Sequence, residues 1–265
     1  MSGELLNDPA ALDAGARDAL ERFILSLADG KRLLGIRYSD WLLGAPSIEA
    51  GIAASSMCQD EWGHARLLYA MLKDFGRDPV AVEHDRPAEA YANPCVLDRP
   101  AEDWAELVSF MVLVDGALST VLEGFAAGRW ELATSRVPKM LAEEAFHRDL
   151  GTAWYARLAG GSAEAQERLR TSTERMLPRL LAWLDPDDED AHVLAGAGLA
   201  AEGARNRERF AEAVGPSLAL LEIDVATVEP DRADWDATRR RGPGRPDDDA
   251  VERARGDRNR ALFVE

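Results

Sequence analysis

One local pattern occurs twice in the sequence: a glutamate followed three residues later by a histidine. The two pairs are Glu61 with His64 and Glu144 with His147. Residues at i and i+3 lie side by side on one face of a helix. Paired Glu-x-x-His motifs on separate helices of a bundle hold two metal ions in the di-iron carboxylate proteins. The repeat therefore favours a helical bundle with a metal centre between its helices.

Apolar residues share the helical face of both motifs, which predicts that the acids and imidazoles point into the protein interior. They are Ala50, Ala54, Met57, Leu68 and Met71 around the first motif, and Val137, Met140, Gly151 and Trp154 around the second. An unpaired charge is very costly in such an interior. Oxygen and imidazole donors in a mixed set suit iron or manganese. The alternative is a pair of buried Glu–His hydrogen bonds without a metal.

Asp115 is the only charged residue in the apolar run 107–122. It stands at helical spacing from Leu107, Met111, Leu118 and Leu122, so it lies on the apolar stripe of its helix. A lone carboxylate on such a face needs a cation. We predict that Asp115 is a bridging or terminal metal ligand; the alternative is a buried Asp–Arg pair.

Three further acids are weaker candidates. Asp40 is the expected ligand from the first helix, although an acid near a helix end is commonly just solvated and nearby Glu49 competes with it. Asp60 and Glu143 each precede a motif glutamate and lie on a flanking face. They are expected to accept the free ring N–H of a histidine on the neighbouring helix; solvent exposure is the alternative for both.

Helical periodicity runs through most of the chain and predicts an all-α bundle of four long central helices with a two-helix addition. The expected helices are 14–43 with a kink or joint at Gly30, Ser47 to about Phe75, 102–127, 131–159, 162–184 and 189–214. The proline-rich stretch 77–101 reads as an irregular crossing. We expect a helical domain at 1–228, followed by a polar segment at 229–265. The composition of that segment predicts an extended or disordered tail, or an arm laid over a partner subunit.

Composition excludes several classes of protein. The 265 residues are 46% hydrophobic and 30% charged, and the net charge of −17 argues against nucleic acid or an anionic membrane as a partner. Charges interrupt every apolar run before about 20 residues, the length that a membrane helix needs. Two cysteines provide neither a disulfide framework nor a four-cysteine zinc site. The start of the chain lacks the features of a signal peptide, so we expect a cytoplasmic protein.

Four segments resemble the phenylacetic acid catabolic protein family, the ferritin-like subunits of the bacterial phenylacetyl-CoA epoxidase. They are Phe23–Trp41, Gln59–His64, Leu113–Gly116 and Glu143–His147. The short gap between Asp40 and Glu61 is similar to the structural subunit, which has lost its metal ligands, whereas here the ligands are present. Met57 departs from the catalytic subunit, which has a lysine at that position.

The resemblance implies a ferritin-like fold, two iron ions (or manganese) and oxygen chemistry. The predicted function is a non-haem di-iron oxygenase subunit, of monooxygenase or epoxidase type, that acts on an aryl-acyl-CoA such as phenylacetyl-CoA. The predicted metal ligands are Asp40, Glu61, His64, Asp115, Glu144 and His147, and the predicted catalytic residues are Glu61, Asp115 and Glu144.

Expected partners are a second ferritin-like subunit, in a homodimer or heterodimer, and a separate reductase. The reductase is expected because the chain has no Gly-rich dinucleotide turn and no iron–sulfur cysteine spacing. The alternative function is a metal-free or vestigial structural subunit that binds and orients a catalytic partner of the same fold. Iron storage has no support, since nothing in the sequence suggests a cage-forming surface.

Overall fold

The structure is a computed structural model that describes residues 4–256 and residue 262, and these residues form no β-strand. The predicted all-α fold is confirmed and is consistent with a ferritin-like bundle. The helices are α1 Ala14–Ser39, α2 Ile48–Met71, α3 Pro79–His84, α4 Trp104–Ser109, α5 Asp115–Ala126, α6 Glu131–Ala159, α7 Ala163–Leu184, α8 Glu189–Gly196, α9 Gly203–Leu218 and α10 Asp248–Arg255. A π-helical segment, Phe110–Val114, joins α4 to α5.

Short polar residues begin the long helices by capping their free N–H groups. Asp13 accepts a hydrogen bond from Ala16 N at the start of α1 (2.8 Å), and Ser47 accepts one from Ala50 N at the start of α2 (3.2 Å). Such caps each stabilise a helix by about 1 kcal/mol. Gly76 adopts a left-handed φ of 80° and ends the 3₁₀ turn that follows α2. Local sequence therefore determines where these helices begin and end.

The four-helix core consists of α1, α2, the continuous α4–π–α5 helix and α6, with α7, α8 and α9 packed outside it against α4, α1 and α5 respectively. Gly30 lies at a close approach of α1 and α5, because a Cβ there would stand only 2.8 Å from Leu118 Cδ2. Helix α1 runs through this glycine without interruption. Gly30 thus permits tight helix packing and does not form the expected joint.

The central helix Trp104–Ala126 is long and apolar enough to cross a membrane by length and composition alone. In the bundle, however, 89% of its apolar window is buried inside the protein. A core helix that other helices surround is expected to be apolar on all sides. Its composition is therefore that of a bundle core.

The helix predicted at 189–214 is interrupted in the structure. Helix α8 ends at Gly196 and α9 begins at Gly203, and Gly198 between them adopts a left-handed φ of 67°. The backbone there packs against the turn between α5 and α6, where a Cβ on Gly128 would stand 2.5 Å from Leu199 O. Arg129 N also donates a hydrogen bond to Gly198 O (2.9 Å). Tertiary contact with that turn accounts for the break, which helical periodicity alone does not show.

The described part of the predicted tail, residues 229–256, packs on the bundle instead of extending into solvent. Arg241 is fully buried and donates a hydrogen bond to Asp98 Oδ2 (2.5 Å), while Asp247 accepts one from Arg37 (2.5 Å). The apolar side of α10 is buried through Ala250, Val251 and Ala254. Composition alone underestimates the tendency of such a segment to become ordered. Ion pairs and hydrogen bonds with the bundle stabilise it in place of the apolar area that it lacks. Residues 257–261 and 263–265 lie outside the described part.

Candidate metal centre

Four of the predicted ligands meet in the middle of the bundle. Glu61 of α2, Asp115 at the start of α5, and Glu144 and His147 of α6 each place one donor atom within 4.8 Å of the others, and all four are buried. His64 joins them, because its Nδ1 lies 2.9 Å from Glu144 Oε1. We call these five residues, together with Lys31, the central cluster. Five of the six predicted ligand residues are thus brought together.

Lys31 of α1 is the member of the central cluster that sequence reasoning missed. Its ammonium donates hydrogen bonds to Glu61 Oε1 (3.0 Å), Asp115 Oδ1 (2.9 Å) and Glu144 Oε1 (2.5 Å), and the side chain is fully buried. A signal was available: Lys31 is one of only three lysines and stands four residues after Leu27, on the apolar stripe of α1. The first helix therefore supplies an ammonium where a fourth carboxylate was expected.

Asp40 is not part of the central cluster. It caps the end of α1 and pairs with Arg253 Nη2 (2.6 Å) and, more loosely, with Arg37 Nη1 (3.7 Å). The separation from Lys31 to Asp40 corresponds to about two and a half helical turns, so the two side chains leave α1 on opposite sides. Glu49, its competitor in the sequence, is exposed near the start of α2. Neither Asp40 nor Glu49 therefore supplies a donor to the central cluster.

Tyr38 is a second residue that sequence reasoning missed. Its buried hydroxyl donates a hydrogen bond to Asp115 Oδ2 (2.9 Å), and His147 Nδ1 lies 3.1 Å from the same oxygen. Tyr38 follows Lys31 by about two helical turns and therefore shares its inward face. Helix α1 thus positions Asp115 through two side chains, one on each carboxylate oxygen.

The acids next to the two motifs form a crossed arrangement at the edge of the cluster. Glu143 of α6 contacts the ring of His64 on α2 (Oε2 to Nε2, 2.8 Å). Asp60 of α2 contacts the ring of His147 on α6 (Oδ2 to Nε2, 3.4 Å). The positions of Asp60 and Glu143 on the flanking faces of their helices predict such contacts with a histidine on the neighbouring helix. When the imidazole is neutral, each acid can accept its Nε2–H, so that Nδ1 is the unprotonated nitrogen that faces the carboxylates.

Burial and mutual charge shift the acid–base behaviour of the cluster. Burial and the nearby Glu144 charge raise the pKa of Glu61 to about 7. Burial also acts on Glu144, but the Lys31 ammonium and the two nearby imidazoles prevail and hold the pKa of Glu144 well below its usual range. The pKa of Lys31 is raised despite burial, because Asp115, Glu144 and Glu61 surround it. The pKa of His147 is raised despite burial by its carboxylate neighbours.

The donors have the chemistry of a divalent metal site. Among the described residues, Glu61 Oε2 is buried without a hydrogen-bond partner, and His64 Nδ1 approaches Glu144 without hydrogen-bond alignment. Both atoms retain a lone pair for a cation, and carboxylate and imidazole donors suit iron or manganese. Metal binding requires ionised carboxylates and neutral imidazoles. In that state the three carboxylates and the Lys31 ammonium carry a net charge of −2, which one divalent ion balances. A second ion would need a further anion or the loss of the lysine proton.

A cavity of about 650 Å³, including the space open to solvent, leads to the central cluster between α5, α6 and α9. Asp115 and Glu144 form part of its wall, and Met111 and Val112 of the π-helical segment form another part. π-Helical turns occur frequently at functional sites. The cavity has both polar and apolar walls, as sites for small ligands do. Asp115 and Glu144 of the central cluster therefore border a space that is open to solvent.

Comparison with known proteins identifies the family of this bundle. A family model described as phenylacetic acid catabolic protein matches residues 5–243. The chain belongs to the phenylacetic acid catabolic protein family. No curated protein has a sequence that matches the chain.

Family membership makes the chain a subunit in phenylacetate catabolism and suggests a multicomponent complex. The matched residues include the whole central cluster and every residue that lines the cavity beside it. The resemblance seen in the short sequence motifs is thereby confirmed over a much longer part of the chain. The central cluster is the candidate metal site of this family member.

Proposed function

We propose that the chain is a metal-dependent oxygenase subunit of phenylacetate catabolism that acts on an aryl-acyl thioester such as phenylacetyl-CoA. The observation that carries this proposal is the convergence of Glu61, Asp115, Glu144 and His147 beside a cavity. Iron bound among these donors would supply the redox chemistry that activates O₂. Two iron ions remain our prediction from the paired motifs. Because the Lys31 ammonium offsets one of the carboxylate charges, the number of bound ions is the quantity to measure.

The protein's own contribution would be to orient donors and exclude water. Tyr38 and Lys31 hold the two oxygens of Asp115, while Glu143 and Asp60 orient the histidines. The buried position of the cluster keeps bulk water away from the reacting atoms. The acyl end of a substrate would lie against Met111 and Val112 at the inner part of the cavity.

Electrons would come from a separate reductase, since the sequence has no dinucleotide-binding turn and only two cysteines. A dimer with a second ferritin-like subunit and a cytoplasmic location are part of the same proposal. The multicomponent character that the family suggests supports the first of these.

A second candidate function is a structural subunit that binds and orients a catalytic partner of the same fold without using a metal. One observation favours it: the Lys31 ammonium already contacts all three carboxylates of the cluster, at 2.5 to 3.0 Å. A buried ammonium there offsets part of the carboxylate repulsion that a metal would otherwise have to relieve.

Metal content separates the two candidates. Protein produced in iron-supplemented medium is analysed for iron and manganese per chain, as wild type and with Glu61→Gln and Glu144→Gln combined. The oxygenase proposal expects at least one ion per wild-type chain, loss of that ion in the double variant, and oxygenated product when reductase is supplied. Glu49→Gln, an exposed acid on α2, is the matched control and should retain the metal. A metal-free wild type whose partner binding survives the double variant would instead support the structural subunit.

A further inference from the structure

Two arginines line the cavity and have no acidic partner among the residues that the structure describes. They are Arg148 of α6 and Arg209 of α9. Among residues 4–256 and 262, neither has a hydrogen bond, ion pair or ring contact, whereas arginines such as Arg22, Arg86 and Arg241 pair closely with carboxylates. The chain has 48 acidic and 31 basic residues, so a cation without a partner is not explained by a shortage of acids.

The helical positions of the two arginines direct them to the cavity. Arg148 follows Glu144 by four residues, so it lies one turn further along the same face of α6. Arg209 precedes Ala213 by four residues, and both line the cavity on one face of α9. Helices α9 and α5 are in direct contact here, because a Cβ on Gly116 would stand 3.3 Å from Val214 Cγ1.

The exposure of the lining side chains decreases from the outer end of the cavity to its inner end. Arg148 is exposed and Arg209 is half-buried, while Asp115 and Glu144 at the other end are only 2% and 4% exposed. Between them the wall includes the apolar side chains of Met111, Val112, Leu141 and Val214. The cavity therefore combines an outer cationic part, an apolar wall and an inner end at the central cluster.

One other acid faces the cavity. Glu123 of α5 is exposed and forms no ion pair with a described residue. Asp115 and Glu144 are already held by Lys31, so they do not neutralise the two arginines. The outer part of the cavity thus carries two cations against one anion, in a protein whose overall charge is strongly negative. A local excess of positive charge concentrates anions.

We propose that Arg148 and Arg209 bind the anionic group of the substrate at the outer end of the cavity, with its apolar part directed inwards to Asp115 and Glu144. This inference rests on the proposed function and specifies how its substrate is held. Guanidinium groups form strong, charge-assisted hydrogen bonds with phosphate and carboxylate alike. The ligand is therefore an anion joined to an apolar group. Its charge comes either from the phosphates of a coenzyme A thioester or from the carboxylate of the free aryl acid.

Calorimetric titration of the full chain tests this binding with three probes: phenylacetyl-CoA, coenzyme A and phenylacetate. We expect Arg148→Gln and Arg209→Gln each to weaken the binding of the anionic probe by about tenfold, the loss of one charge-assisted contact. The binding should also weaken as salt is added. Arg136→Gln is the matched control, since Arg136 lies on α6, has no ion pair with a described residue and does not line the cavity. Glu123→Gln should leave binding unchanged or tighten it.

The three probes distinguish the sources of the anion. Losses with phenylacetyl-CoA and coenzyme A alone identify the phosphates, whereas a loss with phenylacetate identifies the carboxylate. Either result supports the inference. Arginine variants that remain folded by circular dichroism and bind all probes as tightly as wild type would overturn it, as would a wild type that binds none of them.

The titrations are repeated after metal removal by a chelator, so that the result does not depend on metal chemistry. A wild type that holds metal and forms product, with arginine variants that bind normally, defeats this inference alone. A chain that binds the probes through its arginines but never takes up metal defeats the oxygenase proposal alone.

Discussion

Two buried ionic clusters lie almost side by side on α1 and differ in how their charges are compensated. The carboxylate of Asp29 accepts hydrogen bonds from Arg86 Nη1 (3.0 Å), the Tyr69 hydroxyl (2.6 Å) and Ala92 N (2.8 Å). One acid meets one guanidinium, and both carboxylate oxygens are satisfied. Two residues further on, Lys31 faces three carboxylates, and Glu61 Oε2 has no hydrogen-bond partner in the described part of the chain.

This difference separates a structural ion pair from a candidate site. Both clusters are buried, so burial of charge alone does not mark function. The Asp29 cluster is neutral and ties the irregular crossing to α1, because Arg86 and Ala92 both belong to residues 77–101. The central cluster holds three carboxylic acids against one ammonium, so with all three ionised it has an excess of negative charge that a further cation can balance. Excess charge in a buried cluster is therefore the more informative observation.

The largest expected effect comes from breaking the neutral pair. Asp29→Asn leaves the Arg86 guanidinium without its acid, and we expect a loss of about 3–5 kcal/mol in the free energy of unfolding. Denaturant unfolding measures this loss. Added metal should restore none of it, because Asp29 is not among the metal donors. A variant that metal rescued would show that the two clusters are coupled.

Lys31→Met tests the central cluster by removing a cation, whereas Asp29→Asn removes an acid. Without metal, three carboxylates lose their ammonium, and we expect a destabilisation of about 2–4 kcal/mol. Added Fe²⁺ or Mn²⁺ should reverse most of this loss, and metal affinity should exceed that of wild type because a competing cation has gone. Unfolding curves with and without metal, together with elemental analysis, give both quantities. If metal binding falls, Lys31 assists the metal rather than competing with it.

Glu61→Gln should stabilise the metal-free protein at high pH. The pKa of Glu61 is raised to about 7 in the folded state, from an ordinary value of 4.5. Its proton therefore stabilises the fold at low pH, and that contribution is lost as pH rises from about 4.5 to 7. A neutral amide does not lose it, so the variant should be more stable than wild type by about 1–3 kcal/mol at pH 8. The difference should vanish near pH 4; an equal gain at both pH values would contradict this explanation.

The smallest expected effect is at the edge of the cluster. Glu143→Gln removes the carboxylate that contacts His64 Nε2, and we expect a metal affinity about tenfold lower. Stability without metal should change by less than about 1 kcal/mol, since Glu143 is only half-buried. Metal titration followed by thermal unfolding measures both. Glu164→Gln, an exposed acid on α7, is the control and should leave both unchanged.

The helical content, the inward faces of α2, α5 and α6 and the meeting of Glu61, Asp115, Glu144 and His147 could be predicted from the sequence. The crossed contacts of Asp60 and Glu143 could be predicted as well. All of these depend on spacing within a helix, because 3.6 residues per turn fix which side chains share a face. The two Glu-x-x-His motifs lie on the apolar faces of α2 and α6, so packing those faces into one bundle brings the motifs together.

The partners of each charge were decided only by the tertiary structure. The sequence predicted Asp40 as the ligand from α1, whereas the rotation of that helix in the bundle turned Lys31 inwards and Asp40 towards Arg253. The packing of residues 229–256 likewise depends on acids far away in the chain, such as Asp98. Periodicity within a helix contains no information about its rotation and rise relative to other helices. In this protein, the rotation and rise of α1 determine that the Lys31 ammonium enters the central cluster.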